Sequence, residues 1–394
     1  MTVASLEVAS PARVVSAQLF EVRSALVKPY RMSSGAWFSA QAVLLKLTDA
    51  DGMVGWGEAN PEETFSGESP RSVRLTLERT LLPAVLASKS PLPAQMDLEL
   101  DALVPGNLCA KGAISMALLD LLGRRLNVPV STLLGGALRS SLPVLWPISN
   151  GSAADDIAVI DERIEQGFTT FMLKMGMEPA LHEIQRVASL EDRYGDRIKL
   201  IPDANQGWSR NEARLFLEGV NPQRIVFVEQ LLEQKDLAGM AELVTVSDIP
   251  LSADESVIEL NDAARIAEMG AASVFSLKSS KNGGPLRTQR VAAVAEAFGI
   301  RCYMNSMIEF GISQAASLQH AVTIRNLVDA GHAFMSTLRI TEDPTDFSSF
   351  VRDGIVHAPN LPGLGIQVDE AHVQRWTVNS SIIEGANGSV RVVT

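Results

Sequence analysis

Cysteine is nearly missing from this chain: Cys109 and Cys302 are the two among 394 residues, and five histidines accompany them. Two cysteines so far apart form no disulfide framework, and no Cys/His spacing around them suits a metal. Both are read as small, buried apolar groups. Positive charge is also short, with 34 Lys and Arg against 46 Asp and Glu, a net charge of −12. That balance argues against nucleic acid or an anionic membrane surface as partner, since both call for basic patches. It leaves an anionic small molecule open, because a bound divalent cation can reverse the local field. No apolar run reaches the roughly 18 residues that a membrane span needs. The N-terminal "MTVASLEVASPARVV" lacks a basic start ahead of an apolar core, so no signal peptide is expected and a cytoplasmic location is.

What is present describes a globular protein, with hydrophobic residues at 46% and charged residues at 20%. The length exceeds one small core, so two domains, or a large barrel with an accessory domain, are expected. The first part reads as α+β. "AQAVLLKLTDADGMVGWGEANP" (40–61) is two β-rich runs around an Asp51-Gly52 turn, a hairpin signal. "SPRSVRLTLERTLLPAVLA" reads as helical from a Ser69-Pro70 start, and "CAKGAISMALLDLLGRRLNV" places Ile114, Leu118, Leu121 and Leu122 at helical spacing. Glycines and a proline in "LLGGALRSSLPV" (133–144) suggest a boundary there.

From Leu142 the texture changes to short β-prone runs alternating with amphipathic helical stretches: "LPVLWPISNG", "FTTFMLKMG", "IKLIPDANQGW", "RIVFVEQ", "IPLSADES", "SVFSLKSS", "IRCYMNSM". Such alternation implies βαβ units and a parallel sheet. Several runs are closed by a charged residue, at steady spacing. Lys174 to Asp203 is 29 residues, then 26 to Glu229, 25 to Asp254 and 24 to Lys278. With "PISNG" before and "YMNSMIE" and "HAFMST" (332–337) after, eight units are expected. That is a (β/α)₈-type barrel; the glycine fingerprint of an open dinucleotide-binding sheet is absent. The expected division is an α+β capping domain over 1–138, the barrel over 139–356, and an irregular C-terminal segment over 357–394 that returns to the capping domain.

Active sites of such barrels sit at the C-terminal ends of the strands. Alternation along the second strand then points Lys174, Met172 and Thr170 inward, and Phe171 and Leu173 towards the helices. Lys174 and Lys278, four strands apart in a ring of eight, face each other, with three carboxylates between them. Asp203, Glu229 and Asp254 suit a hard cation, Mg²⁺ first and Mn²⁺ second. A substrate carboxylate on that ion would have its α-carbon between two amines, one of which removes the proton to give an enediolate. The metal, the opposite ammonium and burial all push a lysine base towards its neutral form.

Each residue also has an ordinary reading. Asp203 could cap a helix, Glu229 could pair at the surface, Asp254 with Glu255 could form a solvated turn, and Lys174 could snorkel to the barrel rim. For Lys278 the solvated reading is weaker, because Lys281 beside the Asn-Gly-Gly turn suits a solvated lysine better. Five such accidents at one level and one period are improbable together.

"LKMG", "PDANQGW", "FVEQ", "SADESV", "LKSSKNGGP" and "MNSMIEFGI" resemble the barrel motifs of the enolase superfamily, in its muconate-lactonizing-enzyme subgroup (the mandelate racemase/muconate lactonizing enzyme family). "GWGEANP" and "PGLGIQVDE" resemble its capping-domain strand and C-terminal segment, so the likeness covers nearly the whole chain. It implies Asp203, Glu229 and Asp254 as ligands of Mg²⁺, and Lys174 and Lys278 as the acid/base pair. Asn205, Glu255, Glu309, Met172 and Tyr30 are supporting or substrate-contacting candidates. Two features depart from the pattern. The usual Lys-x-Lys of the second strand has Met172 in its first position. The Asp-x-Asp that dipeptide epimerases carry on the eighth strand is replaced by "HAFMST", which argues against a dipeptide.

The implied activity is an isomerase acting on a small carboxylate, by racemisation or epimerisation or by muconate-type cycloisomerisation. The alternatives are a dehydratase of a hydroxy-carboxylate such as a hydroxyproline, a Schiff-base aldolase using Lys278, and a scaffold that kept the fold without the chemistry. Specificity is expected from lid loops in "KPYRMSSGAW" (28–37) and "PEETFSGES" (61–69). A homo-oligomer is expected.

Overall fold

The computed structural model describes residues 12–33, 35–386 and 389–393; the signal-peptide reading of 1–15 falls largely outside them, as does Ser34 of the first lid stretch. Three antiparallel strands begin the chain: β1 (Val14–Met32), β2 (Gly35–Asp49) and β3 (Val54–Ala59). The hairpin between β2 and β3 turns at Gly52, whose φ of +81° lies in the left-handed region that glycine enters without strain. The helical stretch after Ser69 forms with a capping box between Ser69 and Ser72. It widens into a π-helical turn over Leu77–Leu81 just ahead of Pro83, which has no N–H to donate.

The helix Leu108–Leu126 lies against β3, and the reason is legible in "GWG". A Cβ on Gly55 or Gly57 would run into the backbone carbonyls of Ala117 or Ala113. Both glycines therefore serve close approach of helix to strand. Gly57→Val is expected to destabilise the protein by about 3 kcal/mol, because neither backbone can yield cheaply. Thermal unfolding of the variant checks this, and an unchanged midpoint would contradict it.

The second part is the barrel. Strand β4 (Ser141–Pro143) leads to a seven-stranded parallel sheet of β5 (Leu145–Ile148), β6 (Thr170–Lys174), β7 (Lys199–Asp203), β8 (Val228–Glu229), β9 (Leu251–Ala253), β10 (Val274–Leu277) and β11 (Arg301–Met304), in that order. The expected eighth strand is a correction. Residues 332–337 form no strand. His332 makes a single parallel bridge to Val144, its carbonyl accepts from Leu145 N at 2.9 Å, and Ala333 N donates to Met304 O at 2.9 Å. This one stretch thus joins β11 to β5 and closes the ring. A helix, Gly311–Ala321, fills the crossover before it, buried on every side.

Helices between the strands start on capping side chains, among them Ser152, Ser209 and Asp236. β12 (Val351–Arg352) and β13 (Ile355–His357) form a small antiparallel sheet with β4. Finally β14 (Thr377–Ala386) and β15 (Ser389–Val393) add to the free side of β1, so the C-terminal strands complete the sheet that the N-terminal strands began. Among the described residues, no helix is long and apolar enough to cross a membrane.

Candidate active site

The closing charges of the barrel strands fall at one level. Lys174 ends β6 and pairs in register with Asp203 at the end of β7, which pairs in turn with Glu229 at the end of β8. Asp254 and Lys278 directly follow β9 and β10. All are buried: the three acids are fully enclosed, Lys174 is 7% exposed and Lys278 5%.

The ordinary readings fail on this point. Asp203 caps no helix, since Ser209 caps the one that follows. Asp254 is not in a solvated turn, and Lys174 does not reach the rim. Met172 and Lys174 line the central cavity while Phe171 and Leu173 pack in the core, as the alternation required.

The charges are organised in pairs. Lys174 is ion-paired with Asp203. Lys278 Nζ lies 2.6 Å from Asp254 Oδ2, and Lys281 Nζ lies 2.9 Å from Asp254 Oδ1. Lys281 is a second correction. It is not solvated but 4% exposed, and it also donates to the carbonyls of Asp254 and Ser276. Its neighbour Asn282 folds the turn back by accepting from Lys278 N, which turns the Lys281 stem inward. Lys281→Met should cost about 3 kcal/mol, because it withdraws one partner from a buried carboxylate. Chemical denaturation measures this, and a loss below about 0.5 kcal/mol would show Lys278 alone to satisfy Asp254.

Glu229 is the least satisfied of the acids. Its Oε1 accepts from Asn305 Nδ2 at 2.8 Å, while its Oε2 is buried without a partner. Burial, then the charges of Asp203 and Asp254, raise its carboxyl well above the ordinary range. Burial likewise raises Glu255 to about 7, with Asp254 and Asp203 adding to it. Asp254 moves the other way: burial would raise it, but Lys278 and Lys281 outweigh burial and hold it low. The amines do not follow the expectation of a lowered lysine. Burial disfavours the ammonium of Lys174 and of Lys278, yet the facing carboxylates prevail and hold both above the usual lysine value.

Among the described residues no three acidic, Cys or His side chains converge as a closed ligand set. The donor chemistry fits a hard divalent cation nonetheless. Three buried carboxylates stand on adjacent strands, Glu229 Oε2 has no donor, and the like charges raise Glu229 unless a cation offsets them.

Above the acids lies a cavity of about 470 Å³ between the barrel and the N-terminal strands. Tyr30, Met172, Lys174, Asn205, Glu255 and Lys278 all line it; Glu309 does not. Glu309 sits behind Lys278, accepting from Ser280 Oγ at 2.5 Å and Gln314 Nε2 at 2.8 Å. Asn205 donates to Glu255 Oε1 at 3.2 Å. The roof comes from both lid stretches: Trp37 donates its indole N–H to Glu62 at 2.7 Å, and the Phe65 ring lies 4.4 Å from Lys278 Nζ. The sequence reading missed Asn305, Phe65 and Arg339 as lining residues. For Asn305 a signal existed, because it follows β11 at the level where β6 to β10 end in charges. For Phe65 the signal was its place in the lid stretch 61–69, whereas for Arg339 there was none.

Comparison with known proteins gives a consistent result. Residues 14–135 match the family described as "Mandelate racemase / muconate lactonizing enzyme, N-terminal domain", and residues 156–372 match "Enolase C-terminal domain-like". The chain is 34% identical over 354 residues to Muconate cycloisomerase 1 of Pseudomonas putida, covering 88% of this chain and 93% of that one. It is 29% identical over 356 residues to L-Ala-D/L-Glu epimerase of Bacillus subtilis (strain 168), covering 90% and 96%. The structure of N-succinyl Arg/Lys racemase from Bacillus cereus ATCC 14579 superposes with a TM-score of 0.89 at 26% identity, over 94% of this chain and all of that one.

Proposed function

Because the chain belongs to the mandelate racemase/muconate lactonizing enzyme family of the enolase superfamily, an enzyme of the isomerase class, we propose that it moves a proton α to the carboxylate of a small acid. Lys174 and Lys278 are the bases. The observation that carries this reading is that two buried amines, from strands four apart in the ring, line one cavity. Asp203, Glu229 and Asp254 would hold Mg²⁺, or Mn²⁺ in its place. That ion would supply positive charge for the substrate carboxylate and the developing enediolate, and relieve the carboxylate field that keeps the lysines protonated.

The chain's own groups then divide the work. One lysine takes the α-proton while the other, still an ammonium, lies towards the opposite face of the same carbon. Return of a proton from that second amine inverts the centre. Cycloisomerisation uses the pair differently: a carboxylate oxygen of an unsaturated diacid adds to the β-carbon of its C=C bond, and one ammonium delivers a proton to the α-carbon. Lys281 shares Asp254 with Lys278 and so offsets part of the negative charge that holds Lys278 protonated. Closure of the two lid stretches over the cavity would limit the access of water, which lengthens the life of a carbanionic species. Residues 332–339 contain no acid, so this side offers nothing to an ammonium group.

The test is a screen of racemic N-acyl amino acids, hydroxyprolines and muconates with Mg²⁺ and with EDTA. Turnover of one class that EDTA abolishes supports the reading, and full turnover in EDTA contradicts it.

A further inference from the structure

Three positively charged side chains line the cavity, Lys174, Lys278 and Arg339. Two are committed to carboxylates, Lys174 to Asp203 and Lys278 to Asp254. Arg339 is not. Among the described residues no acidic side chain forms an ion pair with it, and its guanidinium carbon lies over the Tyr30 ring, 4.0 Å from the centroid. Stacking occupies the face of a guanidinium and leaves its N–H edge available for a bidentate acceptor.

The arginine is held in place. It follows a short helical turn, Ser336–Leu338, and its carbonyl accepts from Val27 N at 2.9 Å. Leu26 bridges to Ile340, and Thr341 N donates to Ala25 O at 2.9 Å. The stretch that closes the barrel is thereby stitched to β1, the strand that carries Tyr30. Burial acts against the charge of Arg339, with Tyr30 opposing it. The side chain is half-buried, so an acceptor would replace hydration that it has partly lost.

The acids that also line the cavity are differently placed. Glu62 accepts from Trp37, Glu255 accepts from Asn205 through Oε1 while its Oε2 is buried without a partner, and Glu63 is exposed at the mouth. Among the three cations of this cavity, Arg339 alone has no acidic partner among the described residues, and so it is the one open to an anion.

We infer that Arg339, stacked on Tyr30, binds a second anionic group of the substrate, which is therefore a carboxylic acid carrying a further carboxylate. This rests on the proposed reading for the first carboxylate, the one beside the reacting carbon. Arg339 reads the far end and takes no part in the proton transfer.

Binding of unreactive probes tests it by calorimetry on the Mg²⁺-loaded protein: adipate, hexanoate and 6-aminohexanoate, which differ only at the far end. The wild type should bind adipate about 10- to 100-fold more tightly than hexanoate, the range of a charge-assisted hydrogen bond. Arg339→Gln should erase that advantage and leave hexanoate unchanged, while Arg339→Lys should retain part of it. An equal advantage in Arg339→Gln, no advantage in the wild type, or tighter binding of 6-aminohexanoate would each overturn the assignment. The wild-type comparison decides even if Arg339→Gln fails to fold. No C–H bond is broken in these measurements, so they stand or fall apart from the proton-abstraction reading.

Discussion

Lys174→Ala and Lys278→Ala should each lower turnover by about 10³-fold or more, the scale of a lost general acid–base group. Both proteins should remain folded. The reason is that each lysine holds one carboxylate, and truncation leaves that carboxylate room to take water or a cation. Lys278→Ala also leaves Lys281 on Asp254 at 2.9 Å, so its acid keeps a partner. Lys174→Ala leaves Asp203 with the Asn205 amide at 2.9 Å, and should therefore be the less stable of the two. Steady-state kinetics with circular dichroism on the same samples measures both effects. Turnover within tenfold of wild type in either variant would remove that lysine from the chemistry.

The second large effect concerns the acids. Asp203→Asn, Glu229→Gln and Asp254→Asn each remove a charge without changing volume, and each should lower activity on the order of 10³-fold by weakening the hold on the cation. Their stabilities should differ in sign. Glu229→Gln relieves the like-charge field that raises its carboxyl, so it should be neutral or stabilising. Asp254→Asn strips two ammonium groups of their common partner and should be destabilising. Metal titration and thermal unfolding separate the two quantities. A destabilised Glu229→Gln together with a stabilised Asp254→Asn would show that the charges are not balanced as described.

How much of this was legible in the sequence depends on which interactions are local. The barrel strands could be found because strands buried on both faces are written as continuous apolar runs. The ends of five of them, β6 to β10, could be found because a charge closes each one. The eighth segment, "HAFMST", has the same apolar texture but only one bridging residue, and nothing in its composition separates bridge from strand. Lys281 was misread for a related reason. The Asn-Gly-Gly turn beside it suggests a surface, yet the turn folds inward because Asn282 bonds back to Lys278. Tyr30 and Arg339 are 309 positions apart and meet only because β1 pairs with the closing stretch, so no local pattern could join them.

The central claim is that two opposed amines share one α-carbon. The most direct measurement is washout of the substrate α-hydrogen in D₂O, followed by ¹H NMR for each enantiomer of a substrate found in the screen. The wild type should exchange both enantiomers. Lys174→Ala and Lys278→Ala should each exchange a single enantiomer, opposite for the two variants, with no inversion. Exchange of both enantiomers at wild-type rate by either variant would contradict the account.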